Sequence, residues 1–373
     1  MSKALGLAVL DPAYDGQRVP VMEHPAGIGR DAIVAFSGID PVAEPARVGE
    51  AFDGVVDAFE IDLLWGGPPP GPEAASRVID WTGRDSFIDE QGYEHAQWGV
   101  FSASHAEDGR HYHHIPKPGS IDDALDFDPA PYFPETVDEL TQQYQARHDA
   151  NLARCGELCY AMPHWYTTAF HFPLSIFGFE LLCMAGLEED RFARLMDRFV
   201  AISERVTTAW SRVEGLRGFI CHDDLTMSSG PLFRPEWYRR HIFPHYPRIF
   251  APLIDAGVPI LFTSDGDCSE FVDDIFEAGA DGLNFEYLVD LEPLVERHSD
   301  RLLVGNLPSQ LIADGPVEKI RDEVERTVAV GSRARRFVVN IGGQLTHDIP
   351  VEHLRAYLEV RRAACRSARA TVA

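Results

Sequence analysis

The chain alternates between short, unbroken apolar runs and longer stretches whose apolar residues recur every three or four positions. The runs are FEIDLLWGG, ELCYAMPHWY, GFICHDDL, PILFTSDGD, GLNFEYL, RLLVGNL and RFVVNIGGQ. Each has the length of a buried strand. Each is continuous rather than alternating, as strands of a parallel sheet covered on both faces should be. Between them, EEDRFARLMDRFVAISERVTTAWSRV repeats Phe192, Leu195, Met196, Phe199, Ile202 and Val206 at helical spacing. SEFVDDIFEAG and VEKIRDEVERTVAVG read as shorter helices stopped at Gly279 and Gly331, and DLEPLVERHS as another. Strand and helix alternating in this way predict an α/β fold, a parallel sheet with helical crossovers. So many units in one domain point to a single (β/α)8 TIM barrel over residues 1–373. A doubly wound open sheet is the runner-up, weakened because no G-x-G-x-x-G opens a helix.

One region breaks the rhythm. VIDWTGRDSFIDEQGYEHAQWGVFSASHAEDGRHYHHIPKPGS is rich in Gly, His and aromatic residues. It predicts antiparallel hairpins inserted after the first barrel strand, an insert of about 76–135 counting the Pro-rich connector ALDFDPAPYFPE.

A barrel gathers the carboxyl ends of its strands on one open face, so polar residues there are the candidates for chemistry. His222, Asp223 and Asp224 follow GFIC, and Asp265 and Asp267 follow PILFTS. Glu286 lies in GLNFEY, Asn306 ends RLLVGN, and Gln344 and His347 follow RFVVNIGG. Asp223, Asp224, Asp265 and Asp267 are the expected catalytic carboxylates, because acids crowded in a cavity raise one another's pKa and can hold a proton near neutrality. His222, Trp65, Glu286, Asn306, Gln344 and His347 are the expected substrate contacts. Asp is also a favoured helix N-cap, so any one of these carboxylates read alone fits a capping role. Their shared position at strand ends favours a common site. A metal held by His222, Asp223, Asp265 and Cys268 matches no standard zinc spacing, and His111, His113 and His114 read as a solvated loop or lid. No metal site is expected. No G-x-S-x-G elbow, P-loop or Ser-His-Asp signature is present.

Charge narrows the partners. With 33 basic and 59 acidic residues the net charge is −26, which repels nucleic acid and anionic lipid. Six cysteines in 373 residues make no disulfide framework, and Cys155 and Cys159 in a C-x3-C spacing read as reduced core residues. The amino-terminal stretch turns polar at Asp11, too soon for a secretory signal, and no apolar window approaches ~18 residues. A cytoplasmic location is expected.

Several segments together resemble the uroporphyrinogen decarboxylase superfamily, which includes the true decarboxylases and the cobamide-dependent methyltransferases. They are FICHDDLTMSSGPLFRPEWYRRHIFPHYPRIF, PILFTSDGD, AGADGLNFEYLVDLEPL, VGNLPSQLIADGPVEKIRDEVERTV and FVVNIGGQLTHDIPVEHL. The resemblance implies a single eight-stranded barrel. It also implies that Asp62, in FEIDLLW, aligns with the decarboxylases' central aspartate and is a further substrate contact. The departures matter. The decarboxylases' arginine-rich loop is reduced here to Arg18 and Arg30 in RVPVMEHPAGIGR, and their G-H-G motif becomes Gly342, Gly343 and Gln344. The thiol methyltransferases bind zinc through H-x-C and a late Cys, and those ligands are replaced by Thr263, Asp265 and Gly343. Zinc is therefore not expected, and oxygen ligands suit proton transfer better than a soft metal. What remains resembles a branch carrying D-D-L and S-D-G-D.

The resemblance implies a methyltransferase or demethylase of one-carbon metabolism, acting on a small polar substrate with a corrinoid carrier protein as partner. A homodimer stays open. The alternatives are a cofactor-free carboxy-lyase acting on a small acid, anchored by Arg234, Arg239 or Arg240, and a binding subunit that has lost its chemistry.

Overall fold

The computed structural model describes residues 3–16, 18–66, 87–88, 93–98, 101–106, 112 and 115–368. His111, His113 and His114 lie outside the described residues. In chain order the strands are β1 (Met22–Glu23), β2 (Leu63–Trp65), β3 (Phe87–Ile88), β4 (Tyr93–Trp98), β5 (Phe101–Ala106), β6 (Tyr160–Met162), β7 (His164–Tyr166) and β8 (Phe219–His222). They continue with β9 (Thr226–Met227), β10 (Gly230–Pro231), β11 (Ile260–Ser264), β12 (Gly282–Phe285), β13 (Leu302–Leu307) and β14 (Arg336–Ile341).

Every apolar run named above contains a strand. Two parallel sheets result: β1-β2-β6, and β14-β13-β12-β11-β8-β7. They meet at both margins. On one side β6 and β7 flank Pro163, whose carbonyl still accepts from the Ile220 amide at 2.9 Å. On the other, one parallel bridge joins Val21 to Val339. The fold is thus α/β and barrel-like, its strand pairing divided between two sheets. The eighth position, β1, was not legible as a strand. It has two residues, and Pro20 and Pro25 stand on either side of it. The antiparallel β3-β4-β5 sheet is present, but it follows the second strand position instead of the first.

Alternation along the strands sorts side chains to the two faces. Met22, Leu63, Met162, Ile220, Leu261, Leu302, Val304 and Val338 cluster together inside. Their neighbours Cys221, Phe262, Leu303 and Val339 face the helices. The helix Glu189–Ser211 buries Phe192, Leu195, Met196, Phe199, Ile202 and Val206, the stripe its spacing predicts. Cys155 and Cys159 are free and buried. Among the described residues no helix is long and apolar enough to cross a membrane.

Two ion pairs tie the amino-terminal strands to this frame. Asp62 is fully buried, takes Arg18 at 2.6 Å and accepts from the Val21 amide at 2.9 Å. On the outer face of β1, Glu23 meets Arg361 at 3.4 Å and accepts from the Tyr357 hydroxyl at 2.5 Å. Arg361 also donates to the Phe59 carbonyl. Burial pushes Glu23 up to about 7 against the pull of Arg361. Removing one partner of a buried pair leaves an uncompensated charge. Arg361→Met should therefore cost about 3–5 kcal/mol in urea unfolding near pH 8. The cost should be smaller near pH 5, where protonation neutralises Glu23. An equal cost at the two pH values would contradict the pairing.

Candidate functional site

The turn after β8 places two adjacent aspartates on opposite faces. Asp223 is fully buried and turned toward the start of the helix His171–Phe177. It accepts from the amides of Ala169, Phe170 and His171 at 2.9, 2.8 and 2.7 Å, and from the Tyr246 hydroxyl at 2.6 Å. Burial pushes its pKa up, against Tyr246 and the amides of His171 and Phe170. Both oxygens are engaged within the protein, so Asp223 positions the start of the helix His171–Phe177 and does not face a substrate.

Asp224 turns the other way. It meets His222 Nε2 at 2.9 Å and His171 Nδ1 at 3.0 Å. It also accepts from the Tyr166 hydroxyl at 3.1 Å and the Asp265 amide at 3.0 Å. Burial opposes its charge, but His222 and His171 hold it well below the usual carboxylate range. Burial likewise opposes charge on His222, yet Asp224 raises its pKa overall. By anchoring the amide of His171, Asp223 sets the ring of that residue against Asp224.

Asp265 lies beside this cluster at the end of β11. It is open to solvent and lines the cavity described below. Desolvation first, then the charge of Asp224, push it up to about 7, with His222 pulling the other way and Glu286 adding to the rise. The next residue, Gly266, has φ +79, and a Cβ there would lie 2.7 Å from the Met227 carbonyl. Its amide donates to Glu286 Oε2 at 2.9 Å. Only glycine permits this approach, which brings the loops after β8, β11 and β12 together. Asp224, Asp265 and Glu286, with His171, line the polar end of a cavity of about 280 Å3. Phe170, Leu174, Phe179, Leu225, Met227 and Leu232 line the rest. Among the described residues that line it there is no Lys or Arg.

The other expected residues divide. Trp65 lies inside, 5.9 Å from the His24 ring, 6.0 Å from His164 and 5.4 Å from His222. Asp267 caps the following turn, accepting from the Ser269 amide at 3.1 Å. Asp62 precedes β2 and sits at the closed end of the strand in its Arg18 pair, away from the open face. Asn306 is buried and donates to the Val289 carbonyl at 3.0 Å. Gln344 and the His347 backbone pack against the turn at Gly27 and Gly29. Arg239 pairs with Glu270 and Asp274, and Arg240 with Glu189, on the outer surface. Arg234 is the N-cap of the helix Pro235–His241. None of these three arginines lines the cavity.

Four neighbours of the site were not foreseen: His24, His164, Tyr166 and His171. His164 and Tyr166 end β7, so the strand-end rule applied to ELCYAMPHWY would have found them. His24 was hidden with β1, and His171 has no local signal. Burial, reinforced by His222, lowers His24 to about 4 and His164 to about 3, so both rings are neutral at physiological pH.

Ligand-type atoms of His222, Asp224 and Asp265 lie within 4.8 Å of one another. A thiolate zinc site does not fit: the cluster offers no sulfur, and Cys221 and Cys268 are buried in the core.

Residues 180–364 match the family model for uroporphyrinogen decarboxylase (URO-D). Among curated relatives, the uroporphyrinogen decarboxylase of Salinispora tropica is 37% identical over 107 residues, 28% of this chain and 28% of that protein. That of Thermus thermophilus is 31% identical over 127 residues, 34% of this chain and 36% of its own length. The matched segment thus spans about a third or less of these relatives. A solved structure, a methyltransferase from Methanosarcina mazei, superposes with a TM-score of 0.62 at 13% identity, covering 97% of this chain and 99% of its own.

Two predictions follow from the aspartates. Asp223→Ala strands three amides and a hydroxyl in the interior and should destabilise the protein by about 3–5 kcal/mol; an unchanged denaturation midpoint would refute the anchoring role. For Asp265, the folded pKa exceeds the unfolded one, so the folded state binds the extra proton. Stability contributed by that proton is complete below about pH 4 and is lost as pH rises to about 7. Asp265→Asn should remove this downward slope, seen as the difference between the two proteins' urea midpoints across that window. Parallel profiles would show that Asp265 titrates normally.

Proposed function

Because this chain belongs to the uroporphyrinogen decarboxylase superfamily, we propose that it is a methyltransferase or demethylase acting on a small polar substrate. The observation that carries the reading is the pairing of unlike carboxyls at one end of the cavity. Asp224 is held ionised, while Asp265 retains a proton near neutrality. Two carboxyls with pKa values driven apart are the arrangement of an electrostatic stabiliser beside a general acid. The eight strand positions are read as the ring of one barrel, with these groups at its open face.

The chain's own part would be to bind the methylated substrate, exclude water with the apolar wall and donate a proton from Asp265. As the bond between heteroatom and methyl breaks, the heteroatom keeps the electron pair and takes that proton. Asp224, fixed by His222, His171 and Tyr166, keeps the proton on Asp265 until that moment. Asp223 is a positioning residue, and Asp267 caps its turn. A corrinoid on a carrier protein would supply the methyl acceptor. No residue of this chain is assigned to hold it.

The names of the curated relatives favour a second reading, decarboxylation of a small acid. Against it, such a substrate would bring its carboxylate to Asp224, Asp265 and Glu286 with no lining Lys or Arg among the described residues.

The purified protein mixed with cob(I)alamin and a panel of methyl ethers and methylamines should convert the corrinoid spectrum to the methylated form. Asp265→Asn should lower kcat about 100-fold, with KM within a few-fold. An unchanged spectrum with every compound, or an Asp265→Asn enzyme as fast as the parent, would sink the proposal. Carbon dioxide release from small acids would favour the second reading.

A further inference from the structure

Below the acidic mouth lies a second polar layer inside the barrel. Register partners in parallel strands face the same side, and alternation has a period of two. His222 pairs with Thr263, Thr263 with Asn284, and Asn284 with Val304. Val304 belongs to the interior cluster, so this whole row faces inward. Two residues further on, Asn306 pairs with Asn340. The acids continue the same columns: Asp224 is two residues beyond His222, Asp265 two beyond Thr263, and Glu286 two beyond Asn284. Mouth and layer thus lie along the same strands, one row apart.

This layer holds polar atoms that the protein does not satisfy. Asn306 and Asn340 are 3% and 2% exposed. Each spends its amide nitrogen on a backbone carbonyl, Asn306 on Val289 at 3.0 Å and Asn340 on Met22 at 3.1 Å. Those bonds orient the two side chains and leave both carbonyl oxygens buried without a partner among the described residues. The hydroxyl of Thr263, 2% exposed, and His164 Nδ1 are in the same state. A buried acceptor left unmatched costs about 1–3 kcal/mol, so the two asparagine carbonyl oxygens call for a donor.

We propose that this layer, together with Asp265 and Glu286, receives the ammonium group of a primary amine whose apolar part occupies the adjoining cavity. The proposal concerns the same site and goes beyond the reading above: the ammonium anchors the ligand and is not the heteroatom that gives up a methyl group. Three features select this class. The two fixed oxygens of Asn306 and Asn340 accept and do not donate, so they suit N–H groups and repel a carboxylate. Asp224, held ionised, adds negative charge at the mouth, with no lining Lys or Arg among the described residues. Trp65 stands in the same interior and offers an aromatic face to a cation. A quaternary ammonium has the charge but no N–H donor, which separates the role of charge from that of the acceptors.

Isothermal titration of the full-length protein with n-hexylamine, hexan-1-ol, hexanoate and hexyltrimethylammonium tests the proposal without requiring turnover. Hexylamine should bind at least about tenfold tighter than each of the others. Asn340→Leu and Thr263→Val should each weaken hexylamine about fivefold or more and leave hexanol within about twofold. Thr263→Val keeps the side chain's shape, so it serves if the asparagine variant does not fold. Hexanoate or hexyltrimethylammonium binding as tightly as hexylamine would overturn the assignment. So would absence of hexylamine binding at about 10 mM, or amine affinity unmoved by both substitutions. Amine binding without any corrinoid methylation would leave this proposal standing while removing the methyl-transfer reading, and methylation without amine binding would do the reverse.

Discussion

The site depends on one carboxylate, Asp224, held by four donors from four elements of the chain. His222 comes from its own strand, Tyr166 from β7, His171 from the helix that follows, and the Asp265 amide from the end of β11. Paired and hydrogen-bonded in this way, Asp224 keeps its charge in a place where burial alone would remove it. That fixed charge then acts on its neighbours. It raises His222, and with desolvation it keeps a proton on Asp265. The state of His222 passes further, to His164 and His24, whose rings are kept neutral by burial and by that neighbour. A chain of protonation states therefore runs from the mouth into the interior between the strands.

The segment TSDGDCSEF shows why strand-end carboxylates cannot be read as equals. Thr263 faces the barrel interior, and Asp265, two residues on, faces the mouth. Gly266 allows the close approach of the β8 loop, Asp267 caps the next turn, and Cys268 enters the core. The same division splits Asp223 from Asp224. Alternation assigns adjacent residues to opposite faces, so of any two neighbouring aspartates after a strand only one can look into the hollow.

Much of the fold was legible because the strands are continuous apolar runs and the helices carry clean stripes. The strand β1 was not, since two residues between prolines leave no run to detect. The side of each polar residue was accessible in part. Asp224, Asp265 and Glu286 share a cavity, as their strand-end positions suggest. Asp62 also neighbours a strand end, but the wrong one: it precedes β2, and Arg18 takes its charge. Whether the decisive partners are present depends on long-range contacts. His171 reaches Asp224 only because Asp223 holds the amide of the same residue across 52 positions of sequence. No local pattern announces such a clamp.

The most direct test of the account is the protonation of the two carboxyls themselves. Carbon-13 NMR of protein labelled at the aspartate carboxyl carbon, assigned with Asp224→Asn and Asp265→Asn, would follow each group through the acidic and neutral range. The account predicts that Asp265 titrates near 7 while Asp224 stays ionised throughout. An Asp265 resonance that titrates near 4, as an ordinary aspartate does, would contradict it, and so would Asp224 taking up the proton in its place.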